Sequence, residues 1–328
     1  MQIFKTPNIN FFRWRWQAVG VSALVILAGL GTMWSAGGVP LGIDFSGGTA
    51  VVIRFADTTP EDAVRAAIAA IPGEKVVQQY GDPSANEVLI RLPQIDVETG
   101  ADLEQGATAI VDAIEAAGLG EFEVQSTDIV GPVIGRDLQQ KGIYATLAAL
   151  TGILIYISVR FRFSFALGAI AAVFHDILVT VAFLAFFGYE LSLNVVAAIL
   201  TITGYSVNDT IVIFDRVREN LRSMRRERLE LVVNKSVNQT LARTIITSGT
   251  TSLTVLALFL FGGEVLRGFA FTMLVGIVSG TYSTVFIAAA TAVFMSERQA
   301  AQRAAVLPAA GGGGSKRSRR RKMKARAS

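Results

Sequence analysis

The chain has 328 residues, 52% of them hydrophobic, and a mean hydropathy of +0.48, which is too apolar for an ordinary water-soluble domain and indicates several membrane spans. It has no cysteine, and this excludes a disulfide framework and a thiolate metal site. Its 30 Lys and Arg against 26 Asp and Glu are unevenly spread: residues 37–140 are acidic, while the basic residues crowd elsewhere.

Residues 1–17 carry Lys5, Arg13 and Arg15, with Trp14 and Trp16 among the arginines as interfacial anchors. An apolar run, 18–36, then gives the first span. Cleavage of a leader before Gly37 is not expected, because Trp34 would stand where a small residue is needed. Residues 37–140 read as a small α+β domain. A strand over 49–55 leads to TPEDAVRAAIAAI, where Thr59 suits a cap and Pro60 the first helical position. Strands KVVQQY and EVLIRL flank a GDPSAN turn, and a helix over 102–117 and a strand over 121–128 follow. The order β-α-β-β-α-β predicts a ferredoxin-like split βαβ arrangement.

Five further apolar runs, 142–159, 165–187, 191–214, 243–261 and 269–295, meet the roughly 20 residues that a helix needs to cross about 30 Å of hydrocarbon. They form a five-helix bundle over 141–298, with a charged loop at 215–240. Arg160 and Arg162, the arginines from Arg216 to Arg228, Arg298 and the terminal KRSRRRKMKARAS all fall on one side of this layout. The positive-inside rule makes that side cytoplasmic, so both termini lie inside and 37–140 lies outside. Residues 299–328, with their GGGGS linker, read as a disordered basic tail that is simply solvated or touches anionic lipid. The expected fold is a polytopic α-helical membrane protein, with six transmembrane helices and a ferredoxin-like α+β extracytoplasmic domain between helices 1 and 2.

Charged residues inside spans are costly and mark pairing or function. Asp209, beside Asn208, falls near the cytoplasmic end of the fourth run, and Arg243 enters the fifth at a comparable depth. Arg243, Thr247, Thr250, Thr251 and Thr254 share one helical face and are expected to line a hydrated path beside Asp209. His175, the sole histidine, and Asp176 stand mid-span in the third run as a proton relay or as helix fasteners. Gly276 and Gly280 form a small-residue packing seam. No phosphate loop, hydrolase triad or clustered metal ligands appear, so an enzyme is not expected and no cofactor is implied beyond protons and the membrane potential.

LGIDFSGGT, FHD, GYSVNDTIVIFDRVRENLR and TLARTIITSGTTSLTVLALFLFGG, in that order, closely resemble the SecD/SecF family of bacterial protein-export accessory subunits. That family is similar to resistance-nodulation-division transporters. The resemblance implies a subunit of the plasma (inner) membrane that pairs with SecD beside the SecY/SecE/SecG channel. YajC and a YidC-type insertase are further candidate partners, and unfolded preproteins are the cargo. It also implies a proton-coupling Asp and Arg, which fall on Asp209 and Arg243. Two rival readings are a resistance-nodulation-division exporter of small molecules or lipids and a passive scaffold between translocon and insertase.

Overall fold

The computed structural model describes residues 7–35, 38–39, 41–58, 60–72, 75–80, 83–92 and 100–306. The expected Thr59 cap, part of the GDPSAN turn and the tail from residue 307 onward fall outside the described residues. Among the described residues, six helical stretches are long and apolar enough to cross a membrane: Phe11–Ser35, Val133–Arg160, Phe163–Phe186, Leu193–Ser223, Leu229–Phe261 and Val265–Gln302.

A 3-10 turn, Phe11–Trp14, leads into α1 (Arg15–Ser35). A one-turn helix, α2 (Ile43–Ser46), then precedes β1 (Gly48–Phe55). Next come α3 (Glu61–Ala67), β2 (Val76–Gln79), β3 (Glu87–Leu92), α4 (Gly100–Ala117) and β4 (Phe122–Val130). The sheet order is β2-β3-β1-β4, with every neighbouring pair antiparallel. Alternate residues of β1 point to opposite faces. Val51, Ile53 and Phe55 pack with Val64, Ile68, Ile110 and Ile114 beneath α3 and α4. Ala50 and Val52 form a second, smaller cluster with Leu89, against Ile43 and Tyr80.

The bundle consists of α5 (Pro132–Arg160), α6 (Phe163–Phe186), α7 (Leu193–Ser223), α8 (Leu229–Phe261), α9 (Glu264–Ser283) and α10 (Ala289–Val306). A π-turn, Thr284–Ala288, joins α9 to α10 in one continuous rod. Three helices run past the expected boundaries. The first turns of α5 lie in the segment assigned to the domain, α7 continues nine residues beyond Phe214, and α10 covers 299–306 of the expected tail. Hydrophobicity marks only the lipid-facing middle of a helix, whereas polar side-chain contacts hold its ends. Beyond Phe214, Arg160 Nη2 donates to both carboxylate oxygens of Asp215 at 2.7 and 2.9 Å. Asn220 Nδ2 donates to Ser236 Oγ and Gln239 Oε1 at 2.8 Å each, tying the end of α7 to α8.

At the same end of the bundle, α8 holds the N-terminal segment by its main chain. Asn238 accepts from the Ile9 amide at 2.9 Å and donates to the Ile9 carbonyl at 2.9 Å. Asn234, one turn earlier, donates to the same carbonyl at 3.0 Å and accepts from the Phe11 amide at 3.0 Å.

Glycine sets the spacing between α7 and α9. A Cβ on Gly276 would stand 2.2 Å from Ile202 Cδ1, and one on Gly280 would stand 3.0 Å from Ser206 Cβ. These contacts draw α9 onto the face of α7 that carries Asp209. Gly276→Leu is expected to destabilise the bundle by about 1–3 kcal/mol through overpacking. Gly204→Ala, where an added Cβ meets nothing within 4 Å, should be neutral or slightly stabilising. Thermal unfolding of the two variants in detergent checks both outcomes.

Candidate functional site

Two carboxylates lie inside the bundle. Asp176 on α6 is 1% exposed and Asp209 on α7 is 6% exposed. Burial of such groups is expensive unless neighbours supply hydrogen bonds. The two meet that demand very differently.

Asp176 is saturated. Its Oδ2 accepts from Ser206 Oγ of α7 at 2.5 Å and Ser283 Oγ of α9 at 2.8 Å. Its Oδ1 accepts from Ser279 Oγ of α9 at 2.7 Å and lies 3.0 Å from His175 Nδ1. His175 Nε2 reaches Ser22 Oγ of α1 at 2.8 Å, and Ser22 donates to the Tyr282 hydroxyl at 3.2 Å. Tyr282 in turn donates to the Ala18 carbonyl at 2.6 Å. One carboxylate and one imidazole thus fasten α1, α6, α7 and α9 through hydroxyl groups alone.

Asp209 has far less. Among the described residues its one side-chain hydrogen-bond partner is Ser248 Oγ of α8, 3.5 Å from Oδ2, at the limit of a hydrogen bond. Ser248 is itself engaged, accepting from Thr281 Oγ1 of α9 at 2.9 Å and from the Tyr205 hydroxyl at 3.4 Å. Hydroxyl groups from α7 and α9 therefore converge on Ser248, the α8 hydroxyl next to a carboxylate with little other hydrogen bonding among the described residues. One turn before Ser248, Thr244 Oγ1 is buried without a partner among the described residues.

The buried face of α8 is Thr240, Thr244 and Ser248, spaced i, i+4, i+8. The expected stripe is rotated away from it. Arg243, Thr247, Thr250 and Thr254 are exposed and Thr251 is half-buried. Thr247, Thr250, Thr251 and Thr254 all donate to carbonyls one turn back in their own helix, at 2.9 to 3.2 Å. Within this chain they face outward rather than towards Asp209. Among the described residues no ion pair joins the Arg243 guanidinium to Asp209. Asn208 is also exposed, on the outer face of α7. The sequence singled out Asp209, Asp176 and His175, all three of which the fold buries, but not their hydrogen-bonded surroundings, Ser248, Thr281, Tyr205 and the serines around Asp176. The i, i+4 pairs Thr244/Ser248 and Ser279/Ser283 were the available signal.

Comparison with known proteins supplies a family. Residues 110–298 match the family described as protein export membrane protein SecD/SecF, C-terminal. A protein translocase subunit SecF of Rhodothermus marinus is 42% identical, over 92% of this chain and 98% of its own length. One from Escherichia coli O157:H7 is 38% identical over 87% of each chain. Among solved structures, SecDF from Thermus thermophilus, a translocon-associated membrane protein, matches with a TM-score of 0.77 and 34% identity. The match covers 90% of this chain but only 40% of that longer one. A second SecDF structure, in a super-membrane-facing form, matches with a TM-score of 0.65 and 36% identity, over 93% of this chain and 41% of its own. With residues 110–298 matched by the family model and relatives of 38 and 42% identity extending over most of its length, the chain belongs to the SecD/SecF family of protein-export membrane proteins.

Proposed function

We propose that this chain is an accessory subunit of a Sec translocase which, paired with a SecD partner, uses the proton-motive force to promote late steps of preprotein export. The sheet unit is the ferredoxin-like extracytoplasmic domain, and both termini face the cytoplasm of a bacterial inner membrane. Topology and charge support this arrangement: the strand order suits a split βαβ unit, and the ends of the bundle opposite the sheet hold the arginine-rich α7–α8 connection. The SecY channel and its exported chains are then the working partners.

One observation carries the mechanism: of two buried carboxylates, Asp176 is filled with donors and Asp209 is nearly empty of them. A filled carboxylate holds helices together. An unfilled one, next to a short chain of hydroxyl groups, has room to take up and release a proton. Asp209 is accordingly the proton-carrying group, with Ser248, Thr281 and Tyr205 as its immediate relay. Arg243 acts on it from the exposed face of α8, where a second membrane half would sit against the threonine stripe. A membrane potential of 100 mV supplies about 2.3 kcal/mol per charge moved, enough to bias two states that differ by a few kcal/mol.

Asp209→Asn should leave the subunit folded and bound to its partner, while export of a slow secretory protein falls to the rate seen without a proton gradient. Export at the native rate under full proton-motive force would refute the proposal. Asp176→Ala should behave in the opposite way. It strands three hydroxyls and an imidazole, each buried group left unsatisfied costing about 1–3 kcal/mol, and the loss should appear as low yield and early thermal unfolding rather than as an assembled but idle complex.

A further inference from the structure

The LGIDFSGG segment, residues 41–48, lies about 25 Å along α7 from Asp209, taking 1.5 Å per residue. Every residue in it has a contact or a backbone conformation to account for. The Leu41 carbonyl accepts from Arg91 Nη1 of β3 at 2.7 Å, and Leu41 forms a parallel bridge with Leu191. The Gly42 amide donates to the Leu191 carbonyl at 2.9 Å, and a Cβ there would stand 3.2 Å from that oxygen. Ile43 packs under the sheet. Asp44 Oδ2 accepts from the Leu193 amide at 2.8 Å, satisfying an otherwise orphaned donor in the first turn of α7. The Phe45 ring lies 3.5 Å from where a Cβ on Gly142 of α5 would be. Ser46 donates to the Gly42 carbonyl at 3.1 Å, and Gly47 and Gly48 adopt φ of +69° and +113°, which favour glycine.

A second tie closes the same junction. Arg91 forms an ion pair with Glu190, in the connection that leads into α7. Gln78 of β2 also donates to Glu190, at 3.2 Å. Burial draws the Arg91 guanidinium down to about 10, so it remains cationic at neutral pH. The first tie reaches the first turn of α7 and the second the connection just before it, and α7 carries Asp209; the same segment also packs on α5, where a Cβ on Gly135 would stand 3.1 Å from the Gly47 amide nitrogen.

We propose that residues 41–48 form a rigid joint which makes the sheet unit and α7 a single moving body, with Asp44, Arg91 and Glu190 as its positioning residues. A proton-driven tilt of α7 then reaches the sheet without loss at the connection. The functional consequence rests on the reading of Asp209 given above; the joint itself does not.

The test uses the full chain reconstituted with its SecD partner in vesicles. Spin labels on Asp62→Cys, which is 91% exposed on α3, and Asn194→Cys, exposed in the first turn of α7, report the distance between sheet and helix. The native joint should give one narrow distance with and without a proton gradient, whereas Asp44→Ala and Glu190→Gln should broaden it. In unlabelled protein, Asp44→Ala should retain proton flux while proton-driven export is lost. Gly42→Cys with Ser192→Cys would set the two Cβ atoms 3.4 Å apart, close to disulfide geometry. Once oxidised, this bridge should restore export to the Asp44→Ala variant and leave the native chain active. A narrow distance in Asp44→Ala with normal export would overturn the proposal. So would a native chain that the disulfide halts until it is reduced, or flux and export that fall together as the protein is lost. The label distances do not depend on proton chemistry, so failure of the Asp209 reading would leave them unchanged.

Discussion

Hydrocarbon supplies no hydrogen bonds, so a buried charged group in this bundle depends on neighbouring helices for its partners. The positions of α1, α6, α7 and α9 follow from that requirement at Asp176. Three serines must reach one carboxylate, and they do so only because Gly276 and Gly280 let α9 approach α7 closely. Small residues and polar residues are therefore one design here. The glycines set the distance, and the hydroxyl groups use it.

The same packing leaves Asp209 under-served. It lies three residues after Ser206 on α7, near the face that meets α9, but the side chains around it spend their hydrogen bonds elsewhere. Thr210 pairs with Thr284 of the π-turn at 3.1 Å and also donates to the Ser206 carbonyl. Ser248 serves two other hydroxyls. A π-turn widens the helix locally and is often found where function needs departure from regular geometry. Here it sits beside the under-served acid, one turn beyond the saturated one. The saturated carboxylate and the under-served one lie within a few residues of each other along α7, because that helix contributes to both sites.

Much of this was legible in the amino-acid sequence, because the costs are large. Six apolar runs, a β-α-β-β-α-β order and four ionisable groups within the spans, His175, Asp176, Asp209 and Arg243, all stand out against their surroundings. Hydropathy could not mark the ends of α5 and α7, where Arg136, Asp137, Arg160 and Asp215 resemble loop residues but sit on helices. Nor could it choose between two threonine-rich faces of α8. Arg243 drew attention to the face it heads, yet the neighbouring face, with Thr244 and Ser248, is the one that packs on α7. Hydroxyl groups are neutral and common in spans, so their roles emerge only when helix rotation is known. The LGIDFSGG segment was legible as a resemblance alone, since its contacts are with residues 91, 142, 191 and 193, far away in the chain.

The hold of α8 on the N-terminal segment has its own implication for how this family can vary. Asn234 and Asn238 grasp peptide groups at Ile9 and Phe11 and ignore what the side chains there look like. Substitutions at these two sites are therefore cheap as far as this grip is concerned, with one exception. Proline lacks the amide that each asparagine needs, so this grip is indifferent to every side chain at the two positions but closed to a single residue type.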